Sequence, residues 1–172
     1  MSYRLSCIAL LVGLVASGCS KSSTAPTATP QPKFTATLTQ ANEFPAITNA
    51  DGTGSGTATI TLNVTKDAAG NITAATADFV VTLSGFPANT AVTGAHIHPG
   101  AAGTSGGVAI STGLVSGEVV LASGTGGINK SGITVDPALA QSIINGPAGF
   151  YFNVHTTLSS GGAVRGQLVR AN

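Results

Sequence analysis

The most constraining stretch of the chain is residues 58–64, where Ile60, Leu62 and Val64 alternate with Thr59, Thr61 and Asn63. A period of two is the spacing of an extended strand with one face buried and the other wet. The turn residues Asp67-Ala68-Ala69-Gly70-Asn71 follow, and residues 72–83 return as the second arm of a hairpin. Residues 34–43 read as an earlier strand that ends at Phe44-Pro45, followed by a polar, glycine-rich loop over 46–56. Beyond the break at Ser84-Gly85-Phe86-Pro87, strands are expected at 90–98, 108–114 and 118–122, with glycine-rich breaks at 99–107 and 123–127. Residues 149–156 and 163–169 form a last hairpin around the loop 157–162. One helix is expected: Asp136 can cap it, Pro137 suits its first turn, and Asn145-Gly146-Pro147 ends it.

Several antiparallel strands with short turns and one small helix make an all-β fold. The expected architecture is an antiparallel β-sandwich or flattened barrel, immunoglobulin-like or superoxide-dismutase-like, with one short helix. The sequence contains no Trp, so the core must be built from Val, Ile, Leu and Phe. Charged residues are only 8 % of the chain, and removing Arg4 with a leader leaves six basic against six acidic side chains. A neutral domain has no electrostatic footprint for nucleic acid, and that class is set aside.

Residues 1–18 read as a lipoprotein signal peptide. Arg4 precedes an apolar run over 8–16 that is too short to span a bilayer. Ala16-Ser17-Gly18-Cys19 then resembles the lipobox of bacterial lipoproteins, which implies lipidation of Cys19 as the first mature residue. Ser20 rather than Asp follows it, which in Gram-negative lipoproteins implies passage to the outer membrane. Residues 19–33 are thus expected to be a lipidated Cys and a Ser/Thr/Pro tether, mobile because it has too little apolar area to offset chain entropy. The globular domain is expected over 34–172, exported and held at the cell envelope by its lipid. Cys7 leaves with the leader, so the mature domain has no disulfide and no thiolate ligand.

All three histidines of the sequence fall in two of the expected strands, Gly94-Ala95-His96-Ile97-His98 and Tyr151-Phe152-Asn153-Val154-His155-Thr156. Alternation puts His96 and His98 on one face, and Tyr151, Asn153 and His155 on one face, away from the apolar residues between them. Arg165 and Gln167 share a parity opposite to Val164 and Leu168. Two readings of this polar face stand side by side. His96, His98 and His155 have the chemistry to hold Cu or Zn with an open position. Alternatively the histidines, with Tyr151, Asn153, Arg165 and Gln167 in support, lock the strands to a covering loop by hydrogen bonds. No nucleophile elbow, phosphate loop or carboxylate pair is evident, so the expected role is binding or structural rather than enzymatic. Thr-rich strand faces are also compatible with a protein or glycan partner.

The order of motifs resembles the chordin-type (CHRD) domain. It is carried by Leu38-Thr39-Gln40-Ala41-Asn42-Glu43-Phe44-Pro45, residues 54–62, Ala95-His96-Ile97-His98, Phe150-Tyr151-Phe152-Asn153-Val154-His155-Thr156 and Gly161-Gly162-Ala163-Val164-Arg165-Gly166-Gln167-Leu168. The resemblance implies a secreted or surface-exposed β domain over about 34–169. The family often has Glu where this chain has Ala163. The Gly-Ala-His-Ile-His stretch is also similar to the copper-ligand strand of copper-zinc superoxide dismutases. With three histidines in this sequence, however, a dinuclear centre of that kind cannot be assembled.

Overall fold

The computed structural model describes residues 30–171. The leader, Cys19 and the tether as far as residue 29 lie outside them. Among the described residues there are ten strands: β1 (Lys33–Thr39), β2 (Ser55–Lys66), β3 (Ile72–Ser84), β4 (Thr90–Pro99), β5 (Ile110–Ser111), β6 (Val119–Leu121), β7 (Gly126–Val135), β8 (Phe150–Thr156), β9 (Val164–Gln167) and β10 (Val169–Ala171). The one α-helix among the described residues, α1, is Pro137–Asn145. All strand pairs are antiparallel, in the order β5-β4-β8-β9-β1-β2-β3-β7, with β10 alongside β1 and β6 alongside β4.

The sheet curls almost into a barrel, so the flattened-barrel alternative is the one realised. Three strands separate β3 from β8 along the sheet. Yet the rings of Phe79 on β3 and Phe152 on β8 lie 5.8 Å apart, centroid to centroid, which requires the two walls to face each other. β6 and β7, from opposite ends of the order, also approach one another, and Lys130 and Glu118 form an ion pair of 2.6 Å across that gap. The two-residue period dictates the lining. Phe34, Ala36 and Leu38, then Ala58, Ile60 and Leu62, then Ala77, Phe79, Val81 and Leu83 are buried, while their neighbours in sequence face outward. α1 contributes Ala140 and Ile143 to the same core. Asp136 caps the helix by accepting from Ala138 N and Leu139 N.

The departures from the sequence reading have local causes. The first strand stops at Thr39, not 43, because Gln40–Asn42 forms a 3-10 turn whose Asn42 side chain donates to the Arg165 carbonyl. The strand expected over 108–114 shrinks to Ile110–Ser111, with Gly113 already in the left-handed region at φ 72°. β7 was not anticipated, since Gly126, Gly127 and Gly132 interrupt its alternation. Its register slips between Ala77 and Phe79, where the Asp78 carboxylate takes the Gly132 N–H. The last arm divides at Leu168, whose side chain is buried and whose N–H reaches the Phe150 carbonyl. The tether expected to end at 33 is already fastened before that point. Pro32 O accepts from Leu62 N, Gln31 Oε1 accepts from Val64 N, and Lys33 belongs to β1.

Gly166 lets β9 lie against β1: a Cβ there would collide with the backbone carbonyl of Thr37, which cannot swing aside as a side chain would. Gly166→Ala should therefore cost about 1–3 kcal/mol, as overpacking does. Gly161→Ala, in open space, should stay within about 0.5 kcal/mol of the parent. Chemical denaturation of the two variants measures the difference.

Candidate metal centre

The outward face of β4, β8 and β9 is a small grid fixed by register. Gly94 stands opposite His155, His96 opposite Asn153, and His98 opposite Tyr151. On the other side of β8, Asn153 stands opposite Arg165 and Tyr151 opposite Gln167. Every residue expected on the polar face is therefore brought together here. The face is not open, however. The segment after β1 and the loops 100–107 and 157–162 fold over it, leaving His98 only 7 % and Arg165 only 3 % exposed.

One ring nitrogen from each of His96, His98 and His155 lies within 4.8 Å of the others. His98 Nδ1 meets the Gly106 carbonyl at 3.0 Å, and His155 Nδ1 meets the Ser160 carbonyl at 2.9 Å. A carbonyl only accepts, so both Nδ1 atoms carry the proton and both Nε2 atoms of the neutral rings present a bare lone pair. His98 Nε2, His155 Nε2 and His96 Nδ1 are buried without a hydrogen-bond partner among the described residues. Burial, then the neighbouring His155 and His98, pull His96 down to about 4. Burial is also the main cause that holds His98 and His155 below the ordinary imidazole value, against their carbonyl hydrogen bonds. All three rings are neutral at pH 7, which is the ligating form.

Gly94, directly before this cluster, has a steric role. A Cβ on it would come within 2.9 Å of His96 Cε1, so the bare glycine makes room for that ring to lie over β4. Tyr151 stacks on His98 with ring centroids 5.0 Å apart and planes 6° from parallel. The Arg165 guanidinium covers Tyr151 at 4.5 Å.

The β9 side of the grid is a lock. Arg165 Nε donates to Glu43 Oε2 at 2.8 Å, Nη1 to the Thr104 carbonyl at 2.9 Å and Nη2 to the Phe44 carbonyl at 2.8 Å. Gln167 Nε2 donates to the carbonyls of Gly100, Ala148 and Phe150. Asn153 Nδ2 points at Glu43 Oε2 at 3.4 Å. Burial raises Glu43 above the usual carboxylate range, and the guanidinium offsets this only in part. Arg165 thus meets two backbone carbonyls, as a lock on a covering loop requires, and a carboxylate as well. No local pattern singles Glu43 out, because it follows the polar Gln40 and Asn42 rather than an apolar run.

The CHRD domain family profile matches residues 34–168. The chain belongs to the CHRD domain family. No curated protein and no solved structure matches the chain. In this CHRD domain four of the five motif segments that carry the resemblance converge on one face, while 54–62 lines the core from β2. Leu38–Pro45 supplies Glu43 and the Phe44 carbonyl, His-x-His and Asn-x-His supply the rings and Asn153, and Arg-Gly-Gln supplies the lock. The acid that meets Arg165 is Glu43, while Ala163 is fully buried in the core.

The depressed His96 value sets a pH dependence. The unfolded chain protonates His96 near 6.5, whereas the folded chain resists until about 4. Between these values the unfolded state binds more protons, so stability falls as pH drops and levels off below about 4. Thermal melts of metal-free protein should show a falling Tm from pH 7 to 4. The His96→Gln variant, facing the same His98 and His155, should show a shallower slope.

Proposed function

We propose that this CHRD domain binds a single Cu or Zn ion through His96, His98 and His155. One observation carries the reading: three neutral rings with a nitrogen each within 4.8 Å of the others also each hold a buried nitrogen without a hydrogen-bond partner. Leaving one such group unsatisfied costs about 1–3 kcal/mol, and three together on a face built only for rigidity would be a poor solution. The rigidity is supplied by Glu43, Arg165 and Gln167, which do not need the imidazoles. The carbonyls of Gly106 and Ser160 orient two rings as the outer partners of metal-bound histidines do. Neutral nitrogen ligands favour Cu(II) over Zn(II) in affinity. Three protein ligands leave a coordination position for a small molecule.

Calorimetric titration of the purified protein should give one-to-one binding, tighter for Cu(II) than for Zn(II). The His96→Ala/His98→Ala double variant should abolish it. Gly94→Ala, which crowds His96, should weaken it about tenfold while leaving the fold intact. Absence of binding by folded parent protein with either ion would refute the reading and leave the domain as a structural or protein- or glycan-binding module.

The exported, lipid-anchored setting rests on the leader and Cys19, and we propose it as the place where the metal site works. Envelope fractionation should find the parent in the membrane and Cys19→Ser in the soluble fraction. Equal distribution of the two would remove the anchor.

A further inference from the structure

We propose that Asp51 is a positioning residue for His155, fixing from over a hundred residues away the ring's tautomer and aim. Asp51 is fully buried in the 3-10 turn Ala50–Thr53, and neither of the ion pairs among the described residues includes it. Burying a carboxylate without a counter-charge is costly unless its hydrogen bonds are strong and well placed. Both of its side-chain hydrogen bonds go to one turn: Oδ2 accepts from Thr156 Oγ1 at 2.5 Å and from Ser159 Oγ at 2.7 Å.

That turn is closed around Ser159. Ser159 N donates to Thr156 Oγ1 at 3.0 Å, and the Ser159 carbonyl accepts from Thr156 N and Gly162 N. Asn49, which also accepts from Asp51 N, donates to Ser159 Oγ at 3.0 Å and to the Leu158 carbonyl at 3.1 Å. The next carbonyl along is that of Ser160, the acceptor that keeps the proton on His155 Nδ1. The carboxylate thus holds Ser159, Ser159 holds the turn, and the turn presents the Ser160 oxygen to the ring. Without that oxygen the ring is free to move its proton to Nε2, and an N–H would then occupy the direction of the metal-binding lone pair. The consequence for affinity rests on the metal reading; the consequence for the tautomer does not.

The test is nitrogen-resolved NMR of the imidazoles in metal-free protein at neutral pH, paired with Zn(II) titration of the same samples. The variants are Asp51→Asn and Ser159→Ala, with Asp78→Asn as a control on the far strand β3. The parent and the control should show His98 and His155 with the proton on Nδ1. Asp51→Asn and Ser159→Ala should shift His155, and not His98, toward a mixture, and Zn(II) affinity should fall about 10- to 100-fold. If Asp51→Asn does not fold, Ser159→Ala alone decides. An unchanged His155 in the folded variants, or an equal shift in His98, would overturn the proposal. Parent protein that binds no Zn(II) or Cu(II) while His155 responds as expected would sink the metal reading and leave the positioning role standing.

Discussion

The outer face of this domain depends on the buried guanidinium of Arg165. Its three nitrogens reach Glu43, Thr104 and Phe44, and its flat side rests on Tyr151. Two segments far apart in sequence, 43–44 and 104, are thereby drawn onto β9 by one planar group. Arginine suits the task because its donors diverge in a fixed plane and its charge is held in every state. A buried cation is tolerable only when matched by a carboxylate and by carbonyl acceptors, and Glu43 with two backbone oxygens satisfies both needs. Gly106 and Gly162 make the closure sterically possible: the first lies against the Pro99 carbonyl, and a Cβ on the second would come within 2.6 Å of Glu43 Oε2.

Dryness under these loops acts on acids and bases in opposite senses. Burial penalises whichever form is charged, so it raises Glu43 and lowers His96, His98 and His155. The lock and the ring cluster are therefore coupled through solvent exclusion as well as through Tyr151, which touches both His98 and Arg165. The loop segments that exclude water also carry the Gly106 and Ser160 carbonyls, so covering the face and setting the tautomers are one structural event. Strands alone would aim the rings outward; the loops decide which nitrogen His98 and His155 present.

The face is held rigid on its β9 side and carries its unmatched ring nitrogens on the β4 and β8 side. Arg165 and Gln167 place their donors on protein acceptors, whereas Glu43 Oε1 and one nitrogen of each of the three rings are left unmatched. The scaffold and ligand readings of the sequence thus describe adjacent parts of the same grid rather than competing accounts of every residue. His98 belongs to both, fastened to loop 100–107 through Nδ1 and free at Nε2.

Sequence alone determined the strands in which the period of two is unbroken, the capped helix, and the common face of His96 with His98 and of Tyr151 with Asn153 and His155, because these follow from short-range backbone geometry. It also contained the family motifs and their order. Tertiary structure alone decided that His155 lies diagonally across from His96, since strand register couples residues more than fifty positions apart. It likewise decided that Glu43 meets Arg165 and that Asp51 meets Ser159, pairs more than a hundred residues apart in sequence. Neither acid has a local pattern that announces its partner, because burial and pairing are properties of the curled sheet and its loops. β7 was hidden for the same reason: three glycines erase its alternation, and only pairing with β3 makes it a strand.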